Sequence, residues 1–176
     1  MSFAKNLKIA GALALALAAA GCKWTSDAPL VTDDVADKSP LKPGSYSHGS
    51  DTYAIEGKGK GPIVATVHSS GDTTATTYSV KFDKLGGKVY LVQAVSGADI
   101  AYLVIQANAS GFIEYRPKCD DADKAIAIAA GATTTAEDSA CKFPNYDALR
   151  KAAIDASNAI SRGEPGFAGD SYIRQK

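Results

Sequence analysis

From residue 44 to 82 the chain alternates apolar and polar side chains with a period of two, in short runs broken by glycine turns. That pattern specifies half-buried β-strands and excludes amphipathic helices over the same span. Tyr53 and Ile55 alternate with Thr52, Ala54 and Glu56. Ile63, Ala65 and Val67 alternate with Val64, Thr66 and His68, and Tyr78, Val80 and Phe82 with Thr77, Ser79 and Lys81. Segments 89–95 (VYLVQAV) and 100–107 (IAYLVIQA) are apolar on both faces, so both of their faces should be covered. A last strand spans 112–116. Glycine supplies positive φ cheaply in the turns at 57–61, 85–88 and 96–97. The prediction is an antiparallel meander of five or six strands, open or curved towards a barrel.

Two helical segments follow. Residues 120–130 are alanine-rich, open with Asp120, Asp121 and Asp123, and stop at Gly131, as the helix dipole and a glycine C-cap favour. Asn145 can cap a second helix running to Arg162 before Gly163. Its Tyr146, Leu149, Ala153, Ala156 and Ile160 fall on one stripe that should pack against the sheet. The class is therefore α+β, with a domain over 44–163 and a loose tail over 164–176.

The amino terminus carries an address. Lys5 and Lys8 precede an uncharged apolar run, 9–20, which is shorter than the roughly 20 residues of a membrane span. Ala19-Ala20-Gly21-Cys22 resembles the bacterial lipobox, with Ala19 where that motif usually has leucine. The resemblance implies cleavage before Cys22 and lipidation of its sulfur, within a leader of residues 1–21. The rival is soluble export after the Ala18-Ala19-Ala20 pattern. Three cysteines are an odd number for an exported chain. Pairing Cys119 with Cys141 in an oxidising compartment leaves Cys22 spare as the lipid acceptor. Two or three acyl chains hold a protein firmly where one holds it marginally. Lys23 after the cysteine implies, by the sorting rules of that lipoprotein family, the outer membrane facing the periplasm.

Residues 22–43 hold Pro29, Pro40 and Pro43, four aspartates and no period, the composition of a flexible tether reaching roughly 70 Å when extended. Trp24 within it suits a membrane interface or an exposed linker position equally. The chain balances 19 basic against 19 acidic side chains. Loss of the leader removes only Lys5 and Lys8, so the remainder is slightly acidic. That argues against a strongly basic nucleic-acid binder and against general electrostatic attachment to anionic lipid.

Motifs for chemistry are sparse. Gly57-Lys58-Gly59-Lys60-Gly61 matches neither phosphate-loop pattern and reads as a hairpin tip. His48 and His68 lie among serines and aspartates, but no G-x-S-x-G elbow is present, and a rim position suits His68. The acids at 120, 121 and 123 lack the glycine and glutamate of a calcium loop. Glu56 and Glu114 could form a glycosidase-like pair, although a solvated sheet face is the default. Tyr53, Tyr78, Tyr90, Tyr102 and Tyr115, all in strands, offer either a ligand surface or ordinary cross-strand packing.

The segments Pro43-Gly44-Ser45-Tyr46, Leu85-Gly86-Gly87-Lys88-Val89-Tyr90-Leu91-Val92-Gln93 and Tyr115 to Cys119 followed by Cys141 resemble a group of small alphaproteobacterial exported proteins. That resemblance implies no activity. The sequence supports a lipid-anchored envelope protein with a non-catalytic binding or accessory role, attached to the membrane through Cys22 and meeting another envelope protein. No catalytic, metal or cofactor-binding residue is assigned. The alternatives are a carrier enclosing a small apolar ligand in a cavity lined by Tyr90, Tyr102, Leu103 and Ile105, and a hydrolase using His48 or His68.

Overall fold

The computed structural model describes residues 23–69, 73–134 and 140–176. The leader over 1–21 and Cys22 lie outside the described residues. In chain order the elements are β1 (Trp24–Thr25), β2 (Gly44–His48), β3 (Asp51–Glu56), β4 (Ile63–His68), β5 (Thr76–Gly86), β6 (Val89–Ser96), β7 (Asp99–Ala107) and β8 (Gly111–Tyr115). There follow α1 (Asp121–Ala129), β9 (Thr133–Thr134), β10 (Cys141–Lys142), α2 (Tyr146–Arg162) and β11 (Asp170–Arg174).

Strands β2 to β8 form one antiparallel meander. After the helices, β11 returns and pairs antiparallel with both β8 and β2. The result is a closed, eight-stranded antiparallel barrel with no free edge among its strands. The meander of five or six strands is thus too short a count. The additional members are β2 and β11, and each buries a single residue, Tyr46 and Tyr172 respectively. One buried side chain is too little to register as a period.

Inward-facing side chains fill the barrel. They include Ile55, Val67, Val80, Phe82, Leu103 and Ile105, with Phe112 and Tyr172 stacked and Tyr46 tilted against Phe112 at the β2–β11–β8 seam. Outward residues of β2 to β5 are mostly polar, such as Ser45, Thr52, Thr66 and Ser79, the reverse of a lipid-facing barrel wall. On β6 and β7 the outward residues Leu91, Ile100, Tyr102 and Val104 belong to a second core under the helices. Those two strands are covered on both sides, as their continuous apolar runs require. No helix among the described residues is long and apolar enough to cross a membrane.

The second core rests on α2. Asn145 accepts from the Ala148 N–H at 2.9 Å, and Gly163 closes the helix with φ 66°. Leu149, Ala153 and Ala156 are buried and Tyr146 and Ile160 are partly so, which is the expected stripe; Ala148, Ala152 and Ala159 widen it. The narrow alanine face brings the helix close to the wall. Cys119 and Cys141 are bridged, with Cα atoms 5.2 Å apart and a sequence separation of 22. Closing a loop of that length contributes about 3 kcal/mol on the chain-entropy account.

The expected tether is instead part of the fold. Trp24 is fully buried, 5.1 Å from Phe143 edge to face, so it is unavailable to a bilayer interface. Val31, Ala36 and Leu41 are buried as well. The Val31 N–H donates to Gln93 Oε1 at 2.8 Å, and the Gln93 amide donates back to the Val31 carbonyl at 3.3 Å. Ser26 and the Tyr102 hydroxyl lie 2.6 Å apart. These outward polar groups of β6 and β7 clamp a segment whose own strand pairing is confined to the two residues of β1, against β7 and β10, and to isolated bridges at Asp37 and Lys38. Likewise the tail expected to be loose supplies β11, the strand that closes the barrel.

Candidate functional site

The two ends of the barrel differ. At the far end, Leu41 from the amino-terminal segment packs into the interior cluster. At the near end, where β3, β5 and β7 begin and β8 finishes, the interior stops being apolar. Glu114, on the same face of β8 as Phe112, is only 3% exposed and faces the chamber. The Tyr53 hydroxyl donates to Glu114 Oε1 at 3.3 Å, and Arg116 Nε donates to the same oxygen. The second arm of the guanidinium donates to the Tyr53 hydroxyl at 2.5 Å. Arg116 itself reaches water, with 43% of its side chain exposed, and so lies across the mouth as a polar cap.

The electrostatics follow from this geometry. Burial, then the Glu114 charge, pushes the Tyr53 hydroxyl far above its ordinary range, so it acts as a neutral donor. Burial alone would lower the Arg116 guanidinium, but Glu114 and Tyr53 outweigh it and hold the arginine charged. Tyr172 is pushed up to about 12, by burial first and Glu114 second. Burial also raises Tyr78. Asp99, which opens β7, stands at this same end of the barrel. Lys23 pairs with Asp99 at 3.7 Å, so the first described residue sits there too.

Behind this cap the chamber is lined by Ile55, Ala65, Val67, Val80, Ala94 and other apolar residues, and holds a cavity of about 50 Å³. Side chains fill most of an eight-stranded barrel. Sites that engulf a drug-sized ligand begin near 300 Å³, so the remaining space suits the end of a molecule rather than the whole of one.

The candidates from sequence are distributed differently from the expectation. Glu114 and Glu56 do not pair: Glu56 is exposed, and Glu114 faces inward against Arg116. The signal for this site was the Phe112-x-Glu114-x-Arg116 alternation, which puts the acid on the inner face of β8 and a base just beyond the strand's end on the same side. The strand tyrosines also divide. Tyr53 and Tyr78 line the chamber and Tyr90 packs against the inner cluster, while Tyr102 and Tyr115 face the outer core. A ligand-lining role for Tyr102 is excluded by that placement.

His48 and His68 are both exposed at the rim of the near end. His48 contacts the Ser171 carbonyl through Nδ1 at 3.0 Å and Asp170 through Nε2 at 3.8 Å. Asp123 does more than favour a helix dipole. It accepts from the Tyr115 hydroxyl and from the Lys118 N–H at 2.8 Å, tying α1 to the end of β8. Among the described residues no cluster of three or more His, Cys, Asp or Glu could hold a metal ion. No family model, curated protein or solved structure matches the chain.

Proposed function

We propose that the chain is a non-catalytic binding protein held at the bacterial envelope by a lipid on Cys22, and that its barrel is the binding module. The anchor is supported by the lipobox resemblance and by the bridging of the other two cysteines. The binding reading is carried by one observation, the desolvated Glu114 carboxylate facing an otherwise apolar chamber under an arginine that reaches water. A buried ion pair contributes little net stability compared with apolar residues of the same volume. Its chemistry at a barrel mouth suits recognition: a hydrogen-bond donor on a ligand meets Glu114 while a short apolar group enters the cavity. A carrier that encloses its ligand completely is less well supported, because the cavity of about 50 Å³ leaves it no room.

Titration with a series of straight-chain alkylamines and alkanols tests this. Affinity should rise about fourfold per methylene until the chamber is full and then level off. Glu114→Gln should weaken amine binding more than alkanol binding. Absence of saturable binding, or an unchanged amine preference in the variant, would overturn the chamber reading. Intact-mass measurement of the membrane-extracted protein tests the anchor separately, since an unmodified Cys22 would remove it.

A further inference from the structure

The near-neutral charge of the whole chain hides a segregation that only the fold reveals. Six exposed lysines gather at the far end of the barrel: Lys38 and Lys42 from the amino-terminal segment, Lys58 and Lys60 from the β3–β4 turn, and Lys84 and Lys88 flanking the β5–β6 turn. Backbone contacts fix their proximity. Lys38 and Lys60 form an isolated antiparallel bridge. The Lys84 N–H donates to the Asp37 carboxylate at 2.8 Å, and the Lys88 carbonyl accepts from Ala107 at 2.9 Å. Arg174, at the end of β11, joins them by donating to the Pro43 carbonyl at 2.8 Å. The acids nearest these lysines in the chain are Asp33, Asp34, Asp37, Glu56 and Asp83, of which Asp33 is paired with Lys81 and Asp83 with Arg150. None of the six lysines forms a salt bridge among the described residues.

Gathering like charges costs folding free energy through self-repulsion, and the fold offsets little of it: Lys60 Nζ donates to the exposed Asp34 carbonyl at 3.4 Å, and none of the six ammonium groups pairs with a buried acid. The surface is also easy to approach. At Gly59 and Gly61, between and beside the lysines of the β3–β4 turn, no atom lies within 4 Å of where a Cβ would stand. A low, basic surface of this kind raises the encounter rate with an acidic one and selects against basic partners.

We infer that the far end of the barrel is a docking surface for an acidic protein. The choice of a protein over an anionic bilayer rests on the anchor reading above. Lys23, bonded to the expected lipid acceptor, pairs with Asp99 at the near end, so an anchored barrel turns its basic end away from the bilayer that holds it.

The test uses the full-length protein in detergent with poly-L-glutamate as the acidic polypeptide probe. The wild type should bind with an affinity that falls as salt rises. Replacing Lys58, Lys60, Lys84 and Lys88 together by Gln should weaken binding by about tenfold or more and flatten the salt dependence. Replacing Lys118, Lys124, Lys142 and Lys151 by Gln removes the same charge elsewhere and should leave affinity within about twofold. Equal losses in the two sets, or no binding by the wild type, would overturn the inference. In reconstituted vesicles, amine labelling of Lys58 and Lys60 should be the same in phosphatidylcholine with and without phosphatidylglycerol. Protection by the anionic lipid would assign the surface to a bilayer and overturn the choice of a protein. Loss of the Cys22 lipid would show in the intact mass and leave the polyglutamate result standing, so the two readings fail separately.

Discussion

At the scale of single residues, the barrel closes only because two positions carry no side chain. A Cβ on Gly111 would stand 1.9 Å from the Tyr172 carbonyl oxygen, and one on Gly169 would stand 2.7 Å from the Glu114 carbonyl oxygen. Both obstacles are backbone atoms of the β8–β11 seam, so rotation of a side chain cannot relieve them. Gly111→Ala should therefore separate β8 from β11 and destabilise the protein by more than about 3 kcal/mol, beyond the usual range for point substitutions. Urea unfolding gives the measurement, and a midpoint within error of the wild type would show that the seam can yield. Glu114 sits on the same strand, so the contacts that close the barrel also fix the carboxylate in its mouth.

At the scale of elements, β11 is the strand on which closure depends, and ending the chain after Gly169 should prevent a stable barrel. The expected outcome is loss of cooperative thermal unfolding, followed by circular dichroism, and retention of a sharp transition would contradict it. The strands β3 to β5 were legible because each repeats its apolar residues often enough to show a period of two, and β6 and β7 because each is a short continuous apolar run bounded by turn residues. The helix α2 was legible because its cap, stripe and terminal glycine agree. In β11 only Tyr172 is buried and the neighbouring Ile173 is exposed, so local pattern gives no sign of a strand. Residues 23–43 misled for a different reason. Trp24, Val31, Ala36 and Leu41 are buried at unequal spacings, by contacts with strands far along the chain, which linker-like composition conceals. Glu114 was legible as an acid in a strand, and its alternation with Phe112 put it on the apolar face, but its partners Tyr53 and Arg116 became visible only in the folded barrel.

At the scale of the whole molecule, two cores share one wall, and polar groups join the helical layer to the barrel. Asp83 on β5 is buried, accepts from the Tyr146 hydroxyl at 2.7 Å, and pairs with Arg150 at 3.2 Å, so it fastens α2 to the wall. Burial, the largest influence, pushes the Asp83 carboxyl up, although Tyr146 and Arg150 oppose it. An acid whose folded pKa is raised binds its proton more tightly in the folded state than in the unfolded one. Its contribution to stability is therefore greatest in acid. It declines as pH rises from the unfolded value of about 3.9 through the raised folded value, and is level above that. Asp123 acts in the same direction, since burial raises it too. Replacing Asp83 with Asn removes one of these two contributions. Across the window above pH 4, urea midpoints of the wild type should fall relative to those of Asp83→Asn, and the gap should then become constant. Midpoints that run parallel through the window would mean that Asp83 titrates alike in both states, and that the fastening of helix to barrel carries no proton linkage.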